Sequence, residues 1–201
     1  MDDKISAVLD GFHQRIASEQ AQPRPSSPED RDARLLAVGP ETGRLINILA
    51  RSLKAPTILE IGTSYGYSGI WLAEAARASG GKVITLELQD YKAAHARAKA
   101  EEAGLADHID FRVGDALDLI AQLGEPVDFV LLDLWKDLYV PSLEAFYPML
   151  NPGAIIVADN MIRPGGDNAR AYSQAVRAKP GITSVLLPVG TGIEVSRYDP
   201  A

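Results

Sequence analysis

The stretch Thr57-Ile58-Leu59-Glu60-Ile61-Gly62-Thr63-Ser64-Tyr65-Gly66-Tyr67-Ser68-Gly69 decides how the chain is read. A short apolar run of strand length ends at Gly62. Gly62 and Gly66 let the backbone turn tightly, and a helical pattern follows from Tyr67. From Pro56 onward this form recurs, as short apolar runs alternating with helical segments, which is the signature of βαβ units around a parallel sheet. Strands are expected at Thr57 to Ile61, Lys82 to Glu87, Ile109 to Val113, Phe129 to Asp133, Ala154 to Ala158, Thr183 to Leu187 and Ile193 to Tyr198. Helices are expected at Tyr67 to Ala78, Tyr91 to Ala103, Ala116 to Gln122, Tyr139 to Met149 and Ala169 to Ala178. Pro188 to Gly192 is too short for a helical crossover, so the last two strands should form an antiparallel pair at one sheet edge. The fold class is α/β, with a mostly parallel seven-stranded sheet flanked by helices.

Upstream, Ile5, Val8, Leu9, Phe12 and Ile16 fall on one face at helical spacing, so residues 1 to 20 read as an amphipathic helix. Residues 20 to 32 hold three prolines and few apolar groups, which predicts an extended, exposed loop that could act as a mobile flap. Gly39-Pro40-Glu41 opens another helix, expected to run to about Leu53, with proline and an acid in its first turn. At 201 residues one domain is expected over 1–201, with the helix and Pro-rich loop at 1–35 preceding an α/β core at 36–201.

The chain has no cysteine, which excludes disulfides, thiolate metal sites and cysteine nucleophiles. Its 20 Lys and Arg against 27 Asp and Glu give a net charge of −7, which disfavours nucleic acid and anionic lipid as partners. With no basic leader ahead of an apolar core and no run of about 18 apolar residues, a soluble cytoplasmic protein is expected, without membrane association.

Ligands of open α/β sheets bind beyond the carboxyl ends of the strands. At the first such end the spacing from Gly62 to Gly66 is not G-x-G-x-x-G, so the dinucleotide fingerprint fails. Glu87 ends the second strand where an acid accepts hydrogen bonds from ribose hydroxyls, although an exposed strand-end carboxylate reads equally well. Arg112-Val113-Gly114-Asp115-Ala116 makes a further tight turn after the third strand.

Taken together, Glu60-Ile61-Gly62, Gly66-Tyr67-Ser68, Glu87, Gly114-Asp115-Ala116 and Asp133 resemble the cofactor site of class I S-adenosylmethionine-dependent methyltransferases, a Rossmann-like methyltransferase fold. The glycine turn resembles that of the cation-dependent O-methyltransferases, the catechol and caffeoyl-coenzyme A type. The resemblance implies that Gly62, Thr63 and Ser68 surround the methionine end of S-adenosylmethionine, Glu87 holds the ribose, Asp115 and Ala116 flank the adenine, and Glu60 supports the turn. Val38, Tyr67, Leu88, Gly114, Asp133 and Trp135 complete the implied cofactor site.

The fourth strand runs into Asp133-Leu134-Trp135-Lys136-Asp137-Leu138-Tyr139, and the fifth into Asp159-Asn160. Adjacent parallel strands place these ends about 5 Å apart, so Asp133, Asp159 and Asn160 can converge on a hard divalent ion, Mg²⁺ or alternatively Mn²⁺ or Ca²⁺. Singly, each also reads as a strand-end or capping side chain. The Trp-Lys-Asp run resembles the catechol O-methyltransferases more than the plant caffeoyl-coenzyme A enzymes, while Leu134 and Leu138 depart from the mammalian pattern. Gly192-Ile193-Glu194 resembles the family's Gly-Leu-Glu, implying that Glu194 binds the hydroxyl that is not methylated. Pro164 falls in a loop that forms a substrate wall there.

The implied chemistry is methyl transfer to one hydroxyl of a catechol-like, vicinal-diol phenolic molecule. Lys136 is the expected base, and Lys136, Asn160, Glu194, Trp135 and Pro164 are the expected acceptor-side residues. A solvated lysine at 136, an edge carboxylate at 194 and a core-packing Trp135 are the competing readings. The resemblance also implies a homodimer. Two further readings compete: a tRNA hydroxyuridine O-methyltransferase, which the −7 charge disfavours, and a noncatalytic S-adenosylmethionine-binding module.

Overall fold

A computed structural model of the chain describes residues 1–23, 25–27, 30 and 32–200. Its sheet has seven strands: β1 (Thr57–Ile61), β2 (Lys82–Glu87), β3 (Ile109–Val113), β4 (Val127–Leu132), β5 (Leu150–Ala158), β6 (Ile182–Leu187) and β7 (Ile193–Tyr198). They lie in the order β3-β2-β1-β4-β5-β7-β6. The first five are parallel, and β7 runs antiparallel between β5 and β6. The expected α/β architecture, with its antiparallel pair at the C-terminus, is observed.

The helices are α1 (Asp3–Gln20), α2 (Pro40–Arg51), α3 (Tyr67–Ser79), α4 (Asp90–Glu102), α5 (Ala116–Ala121), α6 (Tyr139–Phe146) and α7 (Asp167–Ala178). Period-two alternation along the strands divides the core into two layers. Ile58, Val83, Phe129, Leu131 and Val157 pack under α1, α2 and α3, while Leu59, Ile61, Ile84, Val130, Leu132 and Ile156 pack against α6 and α7. Helix α1 seats Ile5, Val8, Leu9 and Phe12 in the first layer, and the Asp2 side chain caps it by accepting from the Ile5 amide at 3.1 Å.

The fourth strand ends at Leu132, one residue before Asp133, and the fifth begins at Leu150 rather than Ala154. Leu150 pairs with Val127 ahead of a register irregularity, so the strand runs through Pro152 and Gly153. The helix expected to reach Met149 stops at Phe146 and tightens into a 3-10 turn carrying Pro148. Within the expected Pro-rich loop, residues 24, 28, 29 and 31 lie outside the described residues. Its far end is anchored: Asp32 accepts from Lys92 at 2.7 Å and from Gln89 at 2.5 Å, and Leu35 is buried.

Candidate active site

The carboxyl ends of β1, β2, β4 and β5 converge on one side of the sheet, and the glycine turn after β1 forms its centre. The amides of Gly62 and Thr63 donate to the Leu86 carbonyl at 3.0 and 3.1 Å, which carries the chain across toward β2. Gly62 and Gly66 have φ of +104° and +92°, and Ser64 also has a positive φ of +48°. Such values are costly for a residue with a Cβ, so Ser64 must be held. Its amide donates to Glu87 Oε2 at 2.7 Å, and its hydroxyl donates to the Leu35 carbonyl at 3.1 Å. Glu87 Oε1 accepts from the Gln89 amide at 3.1 Å, so the strand-end carboxylate is rigidly aimed.

Glu60 is fully buried beneath this turn. Thr85 donates to its Oε2 at 2.5 Å and hydrogen-bonds Thr63 at 2.5 Å, while Oε1 has no partner in hydrogen-bonding geometry. Burial pushes the Glu60 carboxyl up to about 7, against a partial offset from the Ser68 and Thr85 hydroxyls. An orphaned, buried acceptor under a glycine turn suits a polar ligand group arriving from above.

The remaining expected donor-side residues spread around this turn. Gly114, with φ +152°, donates its amide to the Glu87 carbonyl at 2.9 Å. Asp115 caps α5, its Oδ1 accepting from Leu117 at 2.9 Å and Asp118 at 3.3 Å, and Ala116 starts that helix. Leu88 is exposed and Val38 buried. Tyr67 is buried and its hydroxyl hydrogen-bonds His13 of α1 at 2.9 Å, which commits the phenol to helix packing.

Asp133 and Asp159 follow the ends of the neighbouring strands β4 and β5. The Asp133 amide donates to the Ile61 carbonyl at 3.0 Å and the Asp159 amide to the Leu132 carbonyl at 3.1 Å, which extends the ladder by one rung and fixes both acids. Asp159 is fully buried; Thr191 donates to its Oδ1 at 2.9 Å and Asn160 Nδ2 to its Oδ2 at 3.1 Å. Asn160 Nδ2 also reaches Thr191 Oγ1 at 2.9 Å. Lys136 enters from the 3-10 turn Lys136–Leu138, donating to Asn160 Oδ1 at 2.9 Å and Tyr139 at 2.5 Å, with Asp133 at 4.0 Å.

Burial, and then the charge of Asp159, pushes the Asp133 carboxyl up to about 7, with Lys136 opposing. Burial also raises Asp159, against the Asn160 amide, the Thr191 hydroxyl and Lys136, while burial lowers Lys136 against the pull of both carboxylates. One fully buried carboxylate, Asp159, and one partly buried, Asp133, facing the single Lys136 ammonium are short of positive charge. Among the described residues no three His, Cys, Asp or Glu side chains cluster to hold a metal. The donor set is two carboxylates and one amide, all oxygen, and it fits a hard divalent ion.

The structure thus brings Asp133, Lys136, Asp159 and Asn160 together, with Trp135 half-exposed and Pro164 exposed in the loop beyond Asn160. Glu194 is not brought there, which corrects the role implied by the resemblance. Alternation along β7 turns Ile193 into one core layer and Glu194 to the opposite face, where its buried carboxylate accepts from Arg177 at 2.8 Å, Ser173 at 3.1 Å and Ser184 at 2.6 Å. Two site residues were not singled out from the sequence. Thr191 lies in the short β6–β7 connection, and Tyr139 stands at a helix start, where the sequence marks no chemistry.

A family model described as O-methyltransferase matches residues 27–198. A catechol O-methyltransferase of Niastella koreensis is 32% identical over 179 residues, covering 82% of this chain and 79% of that protein. A catechol O-methyltransferase of Mycobacterium tuberculosis is 41% identical over 132 residues, covering 65% of this chain and 60% of that protein. The crystal structure of an O-methyltransferase from Bacillus cereus in complex with SAH superposes with a TM-score of 0.77 at 29% identity, covering 99% of this chain and 92% of that one.

Proposed function

This chain belongs to the O-methyltransferase family and is an S-adenosylmethionine-dependent O-methyltransferase, and from that premise we propose that it methylates one hydroxyl of a vicinal-diol phenolic molecule with the aid of a divalent cation. The observation that carries this reading is the placement of Lys136 Nζ 2.9 Å from Asn160 Oδ1 and 4.0 Å from Asp133, an amine set at the mouth of an all-oxygen donor set.

Asp133, Asp159 and Asn160 would hold the cation, Mg²⁺ being the best match to their oxygen donors, and when bound it would supply Lewis acidity that favours the ionised form of a neighbouring hydroxyl. S-adenosylmethionine supplies an electrophilic methyl group, so that the acceptor's O–C bond forms as the S–C bond breaks. The protein's own work is positioning and proton handling. Burial lowers the proton affinity of Lys136, which suits the amine to receive the proton released by the acceptor hydroxyl. Glu87, locked by Ser64 and Gln89, holds the ribose of the donor, and Gly62 lets the turn that faces the donor pack directly on the Asp133 backbone. Trp135, exposed on a rim beside Lys136, offers an aromatic face to a planar acceptor.

A methyl-transfer screen over simple catechols, caffeoyl-coenzyme A, flavonoid diols and unmodified tRNA tests this reading. Methylation of vicinal diols and not of monophenols or tRNA is expected. Equal turnover of monophenols would remove the two-point acceptor, and tRNA methylation would overturn the small-molecule reading.

A further inference from the structure

Tyr139, the first residue of α6, is fully buried, and its hydroxyl sits among three polar groups of the site. It accepts from Lys136 Nζ at 2.5 Å and lies 3.0 Å from the Leu132 carbonyl and 3.1 Å from the Asp159 carbonyl. Its ring lies under the same ammonium, 4.2 Å from centroid to Nζ. A phenol has one hydrogen, which it gives to one of the two carbonyls, so its oxygen is left to accept. The orientation of the hydroxyl is therefore imposed by the ends of β4 and β5, and the hydroxyl in turn imposes a place on the lysine.

Lysine carries its charge on a flexible four-carbon stem and does not hold a position by itself. A base must meet the reacting proton within hydrogen-bond reach. Tyr172 shows what a tyrosine kept only for packing looks like in this core. It meets Tyr139 edge-on at 5.4 Å, is equally buried, and its hydroxyl has no hydrogen-bond partner. A phenylalanine would serve the packing at either position, whereas only Tyr139 has its hydroxyl engaged on three sides.

We propose that Tyr139 is a positioning residue: its hydroxyl, braced on the strand-end carbonyls of Leu132 and Asp159, sets the Lys136 amine at the acceptor oxygen. The catalytic part of this inference rests on the O-methyl-transfer reading above. The placement of Lys136 does not, and the experiment separates them. Tyr139→Phe keeps the ring and removes the brace. It is expected to lower kcat by about tenfold to a hundredfold with donor KM unchanged within about twofold. In chain without donor, acceptor or metal, it is expected to raise the rate at which an amine-acylating reagent modifies Lys136 by about threefold or more relative to the exposed Lys54, read by peptide mass spectrometry. Tyr172→Phe is expected to change neither readout.

A Tyr139→Phe chain whose Lys136 is acylated at the wild-type ratio overturns the proposal, as does an unchanged kcat in an active enzyme. Should that variant not melt cooperatively, a ring-fluorinated tyrosine at position 139 keeps the hydroxyl but makes it a weaker acceptor. The same rise in Lys136 labelling is then expected, and its absence overturns the proposal.

Discussion

A Cβ placed on Gly62 would stand 2.1 Å from the carbonyl oxygen of Asp133. The turn that receives the methyl donor and the acid that begins the acceptor site are thus built against each other, so that one backbone contact sets the spacing between the two halves of the reaction. Gly62→Ala combines this collision with a φ of +104°. The variant is expected to lose about 2–4 kcal/mol of stability and to bind S-adenosylhomocysteine at least about tenfold more weakly, read by thermal melts and calorimetry. Wild-type affinity in the variant would show that the donor does not sit on this turn.

Glu60 makes the stability of the ligand-free chain fall with rising pH. Its folded-state pKa of about 7 lies above the ordinary 4.5, so the folded chain holds a proton that the unfolded chain releases between those values. The penalty is absent below about pH 4.5, grows through that window, and is complete above about 7. Glu60→Gln removes it, at up to about 1.4 kcal/mol per pH unit crossed. The melting temperature of Glu60→Gln minus that of wild type should therefore increase between pH 5 and pH 8. A constant difference would mean that Glu60 is not strained by burial.

Asp133 is expected to trade stability for function in the same sense. Burial and the Asp159 charge oppose its ionisation, so Asp133→Asn should stabilise the metal-free chain at pH 8 by on the order of 2 kcal/mol. Millimolar Mg²⁺ should raise the melting temperature of wild type and leave that of the variant unchanged. A wild-type melt insensitive to Mg²⁺ would count against the cation site.

Glu194 gives the opposite expectation. Its carboxylate is spent on Arg177, Ser173 and Ser184 inside the protein. Glu194→Gln should cost about 1–3 kcal/mol in a denaturant melt while leaving the acceptor KM within about twofold of wild type. A large rise in KM would restore Glu194 to the acceptor site.

The fold was readable wherever an apolar run met a sharp stop. β1 ends before Gly62, β2 at Glu87 and β3 before Gly114, and all three match the strands expected from sequence. β5 was read short because Pro152 and Gly153, ordinary strand breakers, lie inside it where the register to β4 is already irregular. Asp133, Asp159 and Asn160 are gathered by the sequence because adjacent parallel strands must bring their ends together, whereas Lys136 joins them only through the family resemblance. Glu194 could not be placed the same way, since a Gly-Ile-Glu run in an edge pair does not say which face each side chain takes, and burial of Ile193 decided it. Tyr139 and Thr191 were invisible for a related reason. Nothing in an isolated tyrosine at a helix start, or a threonine between glycines, reports that a hydroxyl will point back at a carboxylate or a lysine brought near by the fold.

In the proposed reaction the Asp133 and Asp159 carboxylates and the Asn160 amide serve methyl transfer by holding a divalent cation. The most direct measurement is the initial rate of methyl transfer from S-adenosylmethionine to a simple catechol before and after exhaustive chelation with EDTA, with Mg²⁺ then restored. The rate should drop by about a hundredfold or more on chelation and return with Mg²⁺. Turnover that continues unchanged in EDTA would contradict the cation's role.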